Sequence, residues 1–379
     1  MTQLERIVID GHTDLAQHDG NITFDLSKAA KGGLNAAVVP AHAGLIPNTA
    51  AAGTGSDELE ATYQAIVRTV ADSNGKAALA RSADEVRSNA ANGVFSFILG
   101  FQNARPLTTL EDVRRWIDRG VSVFDFGFIG SNQWAQSARP YPYASVPGAE
   151  QGLSELALEA IALLNEHGVI VDTAQLSPAA RKLALEHSQA PIIASHNGLK
   201  SIVGPVDRAL SDDEIRQIAD QDGLVQVVAF DGYLTFRGSD PDIAKAIGDL
   251  RERFGLPRYA GPADYYETLD KETADWDAQK FGDYLKEYHT AVRHGWPHST
   301  VSTLADAIDH VIDVAGADHV GFASDFNHGG GIAGWLNHAD TANVVNEIAR
   351  RHDEQTTAKI VGGNLLAVWQ HVQELATAR

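Results

Sequence analysis

VIDGHTDLA, residues 8–16, is a β-branched run that stops on a histidine and an aspartate two positions apart. Side chains two apart in an extended chain share a face, so the His12 imidazole and the Asp14 carboxylate leave the strand end in the same direction. The run IVIDGHTD (7–14) is the first of eight. NAAVVPAHA (35–43), VFSFILGFQ (94–102), VSVFDFGFIG (121–130), VIVDTAQ (169–175), PIIASHNG (191–198), GLVQVVAFDG (223–232) and HVGFASDF (319–326) follow it. Near-continuous apolar runs suit strands covered on both faces, the condition of a parallel sheet flanked by helices.

Between the runs lie helix-start signals. Ser82 with Glu85, Thr108 with Glu111 and Ser211 with Glu214 have capping-box spacing, and Ser177-Pro178 is an N-cap followed by proline in the first turn. Eight alternations of run and helix predict a single (β/α)8 barrel of TIM type over residues 1–379. An open doubly wound sheet more often carries a glycine-rich phosphate turn after its first strand, and GHTD at 11–14 is not one.

Two connections are too long for a plain barrel. Residues 43–93 are read as two extra helices, and residues 232–318 contain an aromatic insertion, at about 238–300, with Tyr259, Tyr265, Tyr266, Trp276, Tyr284, Tyr288 and Trp296. Long insertions in compact domains serve as lids or interfaces. A lid and an oligomer contact, a homodimer included, are the two expectations.

Composition narrows the class of partner. A formal charge of −20 without a cluster of Lys and Arg argues against nucleic acid. The absence of cysteine excludes disulfides, thiolate metal sites and cysteine nucleophiles. No apolar run approaches the roughly 18 residues of a membrane span, and MTQLERIVIDGHTD lacks the pattern of a signal peptide. The expectation is a cytoplasmic protein acting on a small molecule. His328-Gly329-Gly330-Gly331 imitates the oxyanion loop of lipases, but no Gly-x-Ser-x-Gly elbow accompanies it, so it is read as a flexible loop.

A barrel's active site lies at the carboxyl ends of its strands. Here those ends are polar: His12 and Asp14, His42, Gln102, Ser131-Asn132, Gln175, His196, Asp231 and Asp325. A lone strand-end histidine is usually a hydrogen-bonded structural residue, whereas several around one mouth, with a His-x-Asp pair among them, point to a cation.

DGHTDL (10–15), FDLSKAAKGGLNAA (24–37), GVIVDTAQLS (168–177), PIIASHNG (191–198), DRALSDDEI (207–215), AIDHVIDVAGADHVGFASDF (307–326), GGGIAGW (329–335) and VGGNLLAVW (361–369) occur in an order that resembles the membrane (renal) dipeptidase family of the amidohydrolase superfamily. The resemblance spans nearly the whole chain. It implies a metal-dependent hydrolase of an amide or peptide-like bond in a small, carboxylate-bearing substrate. It also implies two zinc ions held by His-x-Asp on the first strand, a bridging glutamate after the third, histidines after the fifth and sixth, and an aspartate after the eighth.

His12, Asp14, His196 and Asp325 match those positions. The bridging glutamate is replaced by Gln102, the fifth-strand histidine by Gln175, and the substrate-polarising histidine of the fourth strand by Phe128. Arg208 matches the arginine that holds the substrate carboxylate, and Phe128 and Asn132 are expected to face the substrate with it.

A neutral amide cannot offset the repulsion between two dications, and it is a poor zinc ligand beside imidazole. One zinc held by His12, Asp14 and Asp325 is therefore the expectation, with two as the alternative and His42 as an additional ligand. Asp325 is the expected general base and proton donor. Loss of the fourth-strand imidazole removes an oxyanion contact worth about 100-fold to 1000-fold in rate. A ligand-binding protein without hydrolysis, or a lyase or isomerase on the same scaffold, are the competing functions.

Overall fold

The computed structural model describes residues 6–17, 19–44, 52–139, 145–146, 152–235, 241–258, 272–273, 275–292 and 298–378. Its strands are β1 (Ile9–Asp10), β2 (Ala36–His42), β3 (Ala77–Ala80), β4 (Phe95–Gln102), β5 (Val123–Asp125), β6 (Ile170–Asp172), β7 (Ile192–Leu199), β8 (Ala209–Leu210), β9 (Leu224–Val228) and β10 (Val320–Ala323). All pair in parallel, in the order β1-β2-β4-β5-β6-β7-β9-β10. The ring is drawn together between β10 and β1, where Gly11 N donates to Phe322 O (3.1 Å) and Asp325 N to His12 O (2.9 Å). The eight apolar runs are thus the eight strands of a TIM-type barrel.

β3 and β8 lie off that path, paired with β4 and β7. Neither was legible, since β3 reads AALA and β8 has only two residues. Alanine has little preference for a strand. The long connection before β4 holds the two expected helices, Ser56–Asp72 and Ala83–Ala91, with β3 between them.

Alternation along the strands divides the core in two. Ile9, Val38, Ile98, Val123, Ile170, Ile193 and Leu224 pack with Leu365, Leu366, Trp369 and Val372 of the helix Asn364–Thr377. Their strand neighbours Val8, Val39, Leu99, Phe124, Val171, Ala194 and Val225 join the larger cluster with the surrounding helices. A period of two puts the first set inside the ring and the second outside. The C-terminal helix therefore seals the amino end of the barrel and leaves the polar carboxyl end as the mouth. Gly11 is required by this closure, because a Cβ there would lie 1.5 Å from Gln226 Nε2.

The helix starts follow the sequence signals closely. Ser177 caps Pro178–His187, and Ser211 and Glu214 form a capping box on Asp212–Ala219. Ser82 caps Ala83–Ala91, but the Glu85 carboxylate reaches Arg81 N. In the fourth case the box is Thr109 with Asp112, not Thr108 with Glu111. The Asp112 carboxylate accepts from both Thr108 N (2.8 Å) and Thr109 N (2.9 Å), which moves the helix start by one residue. Ser211→Ala should cost about 1 kcal/mol. Urea unfolding measures it, and an unchanged midpoint would deny the cap any energetic role.

Of the aromatic insertion, Trp276, Tyr284 and Tyr288 pack with Ile247, Leu250, Phe254 and Leu256 in a cluster of their own. Tyr259, Tyr265, Tyr266 and Trp296 lie outside the described residues.

Candidate metal and substrate site

Chain closure assembles one side of the mouth. Asp14 N donates to Phe326 O (3.2 Å), so the ends of β1 and β10 interlock and set His12 Nε2 4.0 Å from Asp325 Oδ1. Asp325 has φ +53, a left-handed conformation held by the His328 N–H (3.3 Å) and Gly330 N–H (2.9 Å), both donating to Asp325 O. Gly330 has no room for a side chain, since a Cβ would stand 2.0 Å from Ser324 O. The glycines are therefore a tight turn rather than the flexible loop expected from sequence.

That turn delivers a residue the sequence reading passed over. His328 Nδ1 bonds Asp14 Oδ2 at 2.6 Å, and Asn327 Nδ2 donates to Asp14 O at 2.7 Å. The available signal was spacing: a histidine three residues beyond the eighth-strand aspartate, followed by glycines that let the chain turn back. His42 Nε2 stands 3.9 Å from Asp14 Oδ1, an oxygen that is buried with no hydrogen-bond partner.

Burial pushes His12 down to about 4 despite the nearby Asp14 and Asp10. Burial alone would raise Asp14, but the charges of His42 and His328 outweigh it and hold this carboxyl below the usual carboxylate range. Asp325 is pushed up to about 7 by burial, with His328 opposing and Asp14 reinforcing. Burial would lower His328, yet Asp14 raises it above the ordinary imidazole value through charge and hydrogen bond.

The other side of the mouth comes from β4 to β7. The His196 ring stacks on His12 with centroids 3.8 Å apart, and its Nε2 is 2.9 Å from Gln175 Nε2. Gln102 Nε2 is buried with no hydrogen-bond partner. Phe128 sets its ring against that of His328, centroids 5.1 Å apart. Asn132 is occupied by its own loop: Nδ2 donates to Phe126 O, and Oδ1 accepts from Trp134 N and Ala135 N. Asp231 likewise ties down the backbone of His298 and Ser299.

Arg208 is buried beneath these groups. Nη2 donates to His196 O (2.9 Å) and the guanidinium lies 5.5 Å from the Tyr233 ring centroid, while Nε and Nη1 have no hydrogen-bond partner.

Ligands about 2 Å from one tetrahedral cation stand roughly 3–4 Å from each other. The His12–Asp325 separation of 4.0 Å and the unpartnered Asp14 oxygen suit a first cation. The second position does not fit, because the Gln175 amide nitrogen faces the Nε2 of His196, its remaining family ligand. Among the described residues no three His, Cys, Asp or Glu side chains form a ready-made ligand cluster. The acidic and imidazole groups stand instead as neighbouring pairs.

Eight parallel strands around a mouth of histidines, aspartates and a buried arginine define a TIM-type barrel with a titratable carboxyl end. The chain belongs to the membrane dipeptidase family, peptidase family M19, whose profile matches residues 2–379. Dipeptidase 3 of Mus musculus is 23% identical over 286 residues, which are 73% of this chain and 45% of that protein. An uncharacterized dipeptidase of Schizosaccharomyces pombe is 23% identical over 294 residues, 75% of this chain and 55% of its own length. The chain thus spans about half the length of these relatives. The crystal structure of the probable dipeptidase PvdM from Pseudomonas aeruginosa superposes with a TM-score of 0.87 at 32% identity, covering 98% of this chain and 96% of that one. Among the described residues no helix is long and apolar enough to cross a membrane.

Proposed function

We propose that this chain hydrolyses an amide or peptide-like bond in a small, carboxylate-bearing substrate with one divalent cation, zinc by donor type, held by His12, Asp14 and Asp325. The observation that carries this is the 4.0 Å approach of His12 Nε2 to Asp325 Oδ1 beside Asp14 and Arg208, whose charges both act on that pair. Asp14 Oδ1 and Arg208 Nε and Nη1 are buried without hydrogen-bond partners. A buried polar group without a partner costs about 1–3 kcal/mol, more when charged. Such groups are places for a ligand. The dipeptidase relatives support the same chemistry.

A cation at the first position would activate water and polarise the scissile carbonyl. Asp325 then takes the proton from water and returns it to the leaving amine. Arg208 holds the substrate carboxylate in a two-pronged grip. Phe128 has no donor for the developing oxyanion, so turnover is expected to be slower by about 100-fold to 1000-fold than in a site with an imidazole there. Asn132 shapes the loop beside the substrate.

Metal content after purification without chelator tests the reading, alongside assays on dipeptides and their C-terminal amides. About one cation per chain with hydrolysis of the free acids is the expected result; two would overturn the single-cation site. The Asp14–His328 bond favours one other reading, a carboxylate-binding protein without hydrolysis. No bound metal, with ligand binding intact, would select it.

A further inference from the structure

The second cation position is closed by a run of hydrogen bonds with a single sense. Arg139 Nη2 donates to Gln175 Oε1 at 3.2 Å, and an arginine can only donate. The amide is therefore fixed with Oε1 towards Arg139 and Nε2 towards His196 Nε2, 2.9 Å away. His196 Nε2 must accept that bond, which puts the ring proton on Nδ1, 2.7 Å from Ser195 Oγ. Ser195 Oγ–H in turn donates to Asp172, which also accepts from Ser195 N and Ala174 N, each at 3.0 Å. A flipped amide would set its N–H groups against the guanidinium.

We propose that Arg139 is a positioning residue that takes the electrostatic place of a second metal ion: through Gln175 it caps the His196 lone pair, and it adds a permanent positive charge to the mouth. A metal would need that lone pair. The Arg139 charge is also felt at Asp325, His328 and Arg208, so a second dication would enter against it. This deepens the single-cation reading and rests on it.

Two measurements on the full chain test it. In the first, long-range 1H–15N spectra of 15N-histidine protein at neutral pH report the His196 tautomer, with His196→Gln supplying the assignment. The native protein should show one neutral tautomer protonated at Nδ1, Arg139→Met a mixture, and Arg139→Lys, which keeps a cationic donor, the native pattern. A native His196 protonated at Nε2, or a tautomer untouched by Arg139→Met, overturns the proposal whatever the metal content.

In the second, zinc titration compares Gln175→His with Gln175→His/Arg139→Met. Removal of the fixed charge should tighten the second zinc at least about tenfold. Equal affinities would show that Arg139 does not exclude it. Native metal content tests the single-cation reading separately, so the two failures are distinguishable.

Discussion

Asp325→Asn is expected to lower kcat by about 100-fold to 10,000-fold, the range for loss of a positioned general base. The carboxyl stands 4.0 Å from His12 Nε2 at the end of β10, and burial holds it at about 7, where a base is most effective. Asparagine has the same shape and tolerates the left-handed backbone at φ +53, so the turn should survive. The substitution also removes a buried charge beside Asp14, and stability should not fall. Only the ionised carboxylate can take a proton, so native activity should decline as pH falls through this group's pKa. A bound dication favours the carboxylate and moves that decline below 7. Steady-state rates and metal content, measured together, separate the roles. Lost activity with retained metal assigns proton transfer, lost activity with lost metal assigns ligation, and a rate within about threefold of native sinks both.

Arg208→Met should cost about 2–5 kcal/mol in kcat/KM, or roughly 30-fold or more, as truncation of a buried charge pair does. Two guanidinium nitrogens await a partner in a buried site, and a carboxylate is the planar group that fits them. Lysine should not restore the two-pronged contact. Native enzyme should favour a free-acid substrate over its amide by a similar factor, and Arg208→Met should lose that preference. A variant that still discriminates equally would place the carboxylate elsewhere.

The barrel was legible because its signal is local and repeated. Each apolar run records burial on both faces, and strand ends such as His12, His42 and Asp325 fall at one mouth once the strands are parallel. Legibility failed over short spans with little side chain to read, as at AALA in β3, and at single-residue resolution, as where Asp112 recruited Thr109. His328 was read as part of a flexible loop because glycine-rich stretches carry no periodicity to show where a side chain will point. Arg139 lies nine residues past the run VSVFDFGFIG (121–130), where nothing in its spacing marks it.

By itself the sequence determined the fold and the chemical types gathered at the mouth, because burial follows residue type and alternation, whereas the sealing of the barrel's amino end by the helix Asn364–Thr377 emerged only from the packing. Which groups satisfy one another at the mouth was likewise decided only by the tertiary structure. Asp14 is claimed by His328, 314 positions away, and His196 by Gln175, 21 positions away. Closing the ring brings distant loop ends within hydrogen-bond reach, and a lone pair is capped or left open by differences of about an ångström. Spacing along the chain does not encode distances that small.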